Sequence, residues 1–209
     1  MLAVLVQAGL NAVDGISFTS LAACPSCGGP VSGYDTRRKV FAVIREDDRE
    51  RILQVTVKRF SCLQCGRIVN ADEPFYPGTR IGSPVVDLCL TLSAHMPPNR
   101  TAAWLDGVDI ILDRTSCRNY IRNLSHPVPA SNLFGIGVPL SVISLSSLAS
   151  RGYQGGAIGG AEVLAACSFP SALRTPLHPP PPDEGKKGNA EHQEKEGETR
   201  QPEDNRQAH

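Results

Sequence analysis

Cys24-Pro25-Ser26-Cys27-Gly28-Gly29 and Cys62-Leu63-Gln64-Cys65-Gly66 decide how this chain of 209 residues is read. Each is a C-x-x-C turn followed by glycine. A C-x-x-C turn aims two sulfurs at one ion, and the glycine permits the tight backbone that turns amides toward sulfur. Two such knuckles complete a four-sulfur site. With every position held by protein, no place remains for water or substrate, so the expected role is structural, coupling ion binding to folding. Zinc is the expected ion, one per chain, on Cys24, Cys27, Cys62 and Cys65; iron suits the same donors.

The segment between the knuckles supports this. Lys39-Val-Phe-Ala-Val-Ile44 and Ile52-Leu-Gln-Val-Thr-Val-Lys-Arg-Phe60 are rich in β-branched and aromatic residues. Arg45 to Arg51 is polar and reads as the turn between them. A hairpin joining two knuckles is the zinc-ribbon arrangement, expected over residues 24–70. A redox C-x-x-C needs a βαβ setting, which a hairpin is not. Two disulfides need an oxidising compartment, and seven cysteines leave one over. Cys89, Cys117 and Cys167 stand in apolar or helical surroundings and read as small buried side chains.

Outward from the ribbon, residues 71–126 read as helical. Ser83 is placed as the cap of an apolar helix with Pro84 at its first position, stopped by Pro97-Pro98. Asn99 is placed as the cap of a short helix from Arg100 to Leu105. Asp113 caps a third helix to about Leu124, on which Cys117, Ile121 and Leu124 form one apolar stripe with Tyr120 beside it. Its other surface carries Arg114, Thr115, Ser116, Arg118, Asn119 and Arg122. Three short helices with a polar, basic last helix are helix-turn-helix-like. The third would enter the major groove, with Arg pairing to guanine and Asn to adenine. Arg100 would meet phosphate near a helix N-terminus. The competing reading is a plain bundle with a solvated basic face.

This order of parts resembles the N-terminal region of prokaryotic, especially archaeal, insertion-sequence transposases. The parts are a four-Cys ribbon, Tyr76-Pro-Gly-Thr-Arg80, an apolar helix, Arg100-Thr-Ala-Ala-Trp-Leu105 and Asp113-Arg-Thr-Ser-Cys-Arg-Asn-Tyr-Ile121. The resemblance covers about Cys24 to Leu124. It implies metal ligation by the ribbon cysteines and base or phosphate contact by Arg114, Thr115, Arg118 and Arg122. Such transposases continue into a domain with three separated carboxylates holding divalent metal. Between Asp113 and the tail this chain has only Glu162. Two-metal catalysis lacks ligands there, and no enzymatic activity is expected.

Composition fits this reading. The chain has 21 basic and 21 acidic side chains, so it is not globally basic. The charge is uneven: Met1 to Ala130 holds fourteen bases and twelve acids, while Pro182 to His209 holds eight acids and five bases. Residues 1–23 are apolar and expected to be largely helical. Leu21-Ala-Ala-Cys24 has the look of a lipoprotein box, but no Lys or Arg precedes Arg37 and Asp14 breaks the run, so no signal is expected. Residues 127–178 read as a weakly packed Gly/Ser-rich appendage offering a surface to a protein partner. Gly155-Gly-Ala-Ile-Gly-Gly160 lacks the Lys-Ser/Thr ending of a phosphate loop. Leu140 to Leu148 fits either a strand or a helix, and Gly160 to Ser168 a short helix. Residues 179–209 open on four prolines and continue in Glu, Lys, Gln and Gly, a composition expected to be disordered.

The expected fold class is α+β: a zinc-ribbon hairpin domain, a three-helix helix-turn-helix-like unit and a disordered C-terminal tail. The expected partner is double-stranded DNA, with no membrane, no small-molecule substrate and a cytoplasmic, nucleoid-associated location. The alternative is a ribbon adaptor that binds protein and not DNA.

Overall fold

Two adjacent aspartates set the largest element. Asp47 and Asp48 both have positive φ, 48° and 59°, the signature of a two-residue hairpin turn whose twist matches its strands. Asp tolerates this conformation better than most residues. The computed structural model describes residues 2–167 apart from 125, 134 and 154; the expected tail at 179–209 lies outside them. The chain runs α1 (Leu2–Asn11), β1 (Ser17–Phe18), β2 (Val31–Glu46), β3 (Arg49–Cys62) and β4 (Ile68–Asn70). Next come α2 (Ser83–Ser93), α3 (Pro98–Gly107) and α4 (Arg114–Asn123). Then follow β5 (Ala130–Leu133), β6 (Ile136–Pro139), α5 (Leu140–Tyr153) and α6 (Gly160–Ala166). The protein is thus mixed α+β.

Both hairpin strands are longer than the sequence pattern suggests. β2 and β3 pair antiparallel from Glu46↔Arg49 to Val31↔Cys62, so the expected turn at 45–51 shrinks to Asp47 and Asp48. Polar residues continue the strands because cross-strand pairs hold them: Arg51 meets Glu46 at 2.9 Å, and Arg59 bonds Asp35 through both its Nε and Nη2. A register shift lies between Val40 and Ala42, where Phe41 and Ala42 are both buried, which simple alternation forbids. On its other edge β3 takes β1 in parallel and β4 antiparallel.

The hairpin has two unlike halves. Toward the turn, Phe41, Ile44, Leu53, Val55 and Val57 enter the main core with Val6 and Leu10 of α1, Leu88 and Leu92 of α2, and Leu105 of α3. The free edge of β2 is covered there: Ile111 N donates to Val43 O at 2.8 Å, and Arg45 N to Asp109 O at 2.8 Å. Toward the cysteines, residues 32–38 of β2 are all exposed. That half of β2 is a solvent-facing arm, while the facing strand still sends Phe60 into the core.

Helix starts differ from expectation by one position or two. α2 begins at Ser83 itself, with Gly82 as the flanking residue, because the Ser83 amide donates to Pro74 O at 2.8 Å and the side chain is buried rather than capping. A Cβ on Gly82 would sit 2.4 Å from Phe41 Cε2, so glycine is required for this approach. α3 starts at Pro98 with Pro97 flanking, since a proline ring is pre-set for the first helical position. Asp113 caps α4 as expected, accepting from the Thr115 and Ser116 amides at 2.9 Å each.

Residues 130–167, expected to be weakly packed, instead supply Val138, Val142, Leu145, Leu148 and Val163 to the same core. The ambiguous Leu140 run is helical because Val142, Leu145 and Ala149 recur at helical spacing on one face against α1. Two of its serines are bonded to other elements: Ser146 Oγ donates to Leu5 O at 2.7 Å and lies 2.8 Å from Val142 O, and Ser141 Oγ donates to Asp87 of α2. No helix among the described residues is long and apolar enough to cross a membrane.

Candidate metal centre

The two knuckles stand at the open end of the hairpin. The strand register places Val31 opposite Cys62, so the ladder itself brings the second pair beside the residues that follow the first. In the first knuckle Gly28 N donates to Cys24 O at 2.8 Å and Cys24 N to Gly29 O at 3.0 Å. In the second, Gly66 N donates to Cys62 O at 3.0 Å and Cys62 N to Arg67 O at 2.9 Å. Gly28 and Gly66 have φ of 71° and 69°, a left-handed bend that closes each turn. Leu63 N donates to Pro30 O at 3.0 Å and locks one knuckle onto the other.

The result is a cluster of Cys24, Cys27, Cys62 and Cys65 sulfurs all within 4.8 Å of one another. Cys24 Sγ lies 3.8 Å from Cys65 Sγ, and Cys27 Sγ 3.5 Å from Cys62 Sγ. A tetrahedron of sulfurs at about 2.3 Å from a central ion has edges of about 3.8 Å. The observed spacings match this, and the sulfurs are free thiols, not disulfides. The four cysteines can hold one metal ion. Cys24 and Cys62 are buried, and Cys27 and Cys65 face solvent, which leaves a path for the ion.

Backbone amides prepare the site for negative charge. The Cys65 amide, with that of Gln64, lies 3.4 Å from Cys62 Sγ and pulls that thiol down to about 6. The Ser26 amide lowers Cys24 in the same way. The Gly29 amide pulls on Cys27 too, but the neighbouring Cys62 sulfur and burial push Cys27 up to about 12. Four packed thiols cannot all ionise alone; a divalent cation removes the repulsion and takes their protons' place.

The other expected residues fall on the helices. Arg114, Thr115, Arg118, Asn119 and Arg122 are all exposed on one face of α4, opposite buried Cys117 and Tyr120. Arg100 is exposed in the first turn of α3, which packs on α4. Beside α4, residues 77–80 with Ser116, Asn119 and Asn123 line a polar cleft of about 380 Å³.

One group escaped the sequence reading. Asp87, inside the apolar run Val85-Val-Asp-Leu-Cys-Leu90, is 4% exposed. Tyr76 Oη donates to its Oδ1 at 2.5 Å and Ser141 Oγ to its Oδ2 at 2.7 Å. His126 Nε2 stands 3.9 Å away, and its ring lies 4.5 Å from that of Tyr76. Burial pushes the Asp87 carboxyl up, against these donors. A charged residue in an apolar helix face was the available signal. Comparison of the chain with protein-family models, curated proteins and solved structures finds no match.

Proposed function

We propose that this chain is a zinc-stabilised DNA-binding protein, transposase-related or a transcriptional regulator, that reads duplex DNA with α4. The observation that carries the proposal is the α4 face. Arg114, Arg118 and Arg122 follow one another at four-residue spacing, with Thr115 and Asn119 alongside, and all are exposed. Arg forks match guanine edges and Asn matches adenine, while Thr reaches either base or phosphate. Asp113, its carboxyl lowered by Ser116 and its amide, satisfies the helix start, and the basic side chains that follow are exposed. Arg100 on the neighbouring helix serves phosphate. Zinc is the metal that suits four thiolates in a closed, non-catalytic site, and the hairpin with its knuckles acts as a zinc ribbon. The proposal assigns the chain no catalytic step and a reducing, cytoplasmic setting.

The test is duplex binding by fluorescence anisotropy across a salt series, using a random duplex pool and then its selected sequences. For Arg118→Ala and Arg122→Ala, a base contact is worth about 1–3 kcal/mol, and a phosphate contact lowers the salt slope by about one. Unchanged affinity and unchanged salt dependence in both variants would reject α4 as the reading helix. A protein-binding role for the ribbon is favoured by Leu63 and Ile68, 69% and 48% exposed beside the second knuckle. Under that reading Leu63→Ser abolishes partner capture and leaves any duplex affinity untouched.

A further inference from the structure

Cys89 of α2 and Cys117 of α4 are both fully buried, on neighbouring helices. Their sulfurs are 2.7 Å apart. That is much closer than the 3.5 and 3.8 Å approaches in the four-sulfur cluster. Two ligands of one tetrahedral ion stand about 3.8 Å apart, so this pair is not an ion site. A disulfide bond is about 2.05 Å long, so the sulfurs need to close by well under an ångström. We infer that Cys89 and Cys117 are a disulfide-forming pair that staples α2 to α4, separate from the metal ligands.

The oxidant is a hydroperoxide, small enough to follow a brief opening of α4. Either sulfur can donate across the 2.7 Å contact; with Cys89 as the donor, Cys117 is held down and is the sulfur that attacks. The Cys117 thiolate attacks a peroxide oxygen; the S–O bond forms, the O–O bond breaks, and the departing hydroxide takes a proton to leave as water. Cys89, giving up its proton, attacks that sulfur; the S–S bond forms, the S–O bond breaks, and the second oxygen leaves as water. Two thiols lose two electrons and two protons, and one hydrogen peroxide becomes two waters. Cys117 is buried against α2 while Arg114 and Arg118 are exposed, so the bond fixes the helix from its packed side and leaves the exposed side chains free. Nothing in this step depends on DNA binding.

The experiment uses the full, zinc-loaded chain with one equivalent of hydrogen peroxide. The product is denatured and alkylated without reductant, digested, and mapped by mass spectrometry. The expected result is one cross-linked peptide pair carrying Cys89 and Cys117, lighter by two hydrogens and separated by dithiothreitol. The zinc stays bound to a chromogenic chelator challenge, and the melting temperature rises in a shift that reductant abolishes. Cys89→Ser is expected to lose the cross-link and the shift, but the wild-type map decides the matter even if that variant does not fold. Recovery of Cys89 and Cys117 as alkylated thiols while the knuckle cysteines oxidise would overturn the inference, as would a bond from either one to a knuckle cysteine.

Discussion

Removing the metal is expected to unfold the arm of the hairpin and spare the core. The perturbation is a chelator, which reaches the site through exposed Cys27 and Cys65. Residues 32–38 of β2 are exposed, so that stretch of β2 itself contributes little apolar burial; the core side chains of this half, Val57 and Phe60, belong to β3. Besides the backbone ladder, the side-chain contacts across the two strands there are the Asp35–Arg59 ion pair and Arg59 over the Tyr34 ring at 5.5 Å. An exposed pair contributes about 0.2–1 kcal/mol and an exposed cation–π contact about 0.5–1 kcal/mol. Their sum, about 1–2 kcal/mol, contributes only a roughly five- to thirty-fold factor to the excess of closed over open arm. Structural zinc sites in small domains are worth about 10–16 kcal/mol, so ligation dominates the arm by a wide margin. The assay is hydrogen exchange with mass spectrometry on loaded and chelated protein. Peptides covering 24–38 and 61–68 should lose nearly all protection on chelation, and peptides covering 50–57, α2 and α5 should keep theirs. The reasoning is refuted if the arm stays protected in chelator. It is equally refuted if the whole chain exchanges, because the metal would then hold the core as well.

Two further outcomes follow from single side chains. Asp113→Ala removes the acceptor for the Thr115 and Ser116 amides and should cost about 0.5–2 kcal/mol in denaturant unfolding, while Asp113→Asn, which keeps an acceptor, should cost less. Asp87 sits above the ordinary 3.8 in the fold, so between that value and its folded value the native state holds the extra proton. Its contribution is therefore fully present below pH 3.8 and is lost as pH rises through the folded value. Asp87→Asn should flatten that slope in a urea titration series across acid pH. Asp87→Ala, which removes the acceptor of the Tyr76 and Ser141 hydroxyls, should destabilise by about 1–3 kcal/mol.

Some features are legible locally because their causes are local. The C-x-x-C-Gly turns carry their own geometry, and the hairpin ladder then needs only to bring their ends together, so the ligand cluster is readable from spacing. Asp113 is readable as a cap because the cap bond reaches only two and three residues along. The α4 face is readable because i, i+4 and i+8 lie on one side of any helix. Strand length was harder: residues 32–38 are mostly polar and exposed, and only pairing with the far strand makes them β-structure.

The remaining decisions belong to tertiary packing. Leu140 to Leu148 has no clear period, and it becomes a helix because α1 offers an apolar face and a carbonyl at Leu5 for Ser146. Residues 127–178 read as a weakly packed Gly/Ser-rich appendage, whereas residues 130–167 share the core of the hairpin and helices. Cys89 and Cys117 are 28 positions apart and carry no spacing signal, so only the crossing of α2 and α4 brings their sulfurs together. What the chain specified by itself is the chemistry of short segments, since covalent spacing and backbone geometry act over a few residues. Which distant groups meet was decided by burial, which acts on the folded whole.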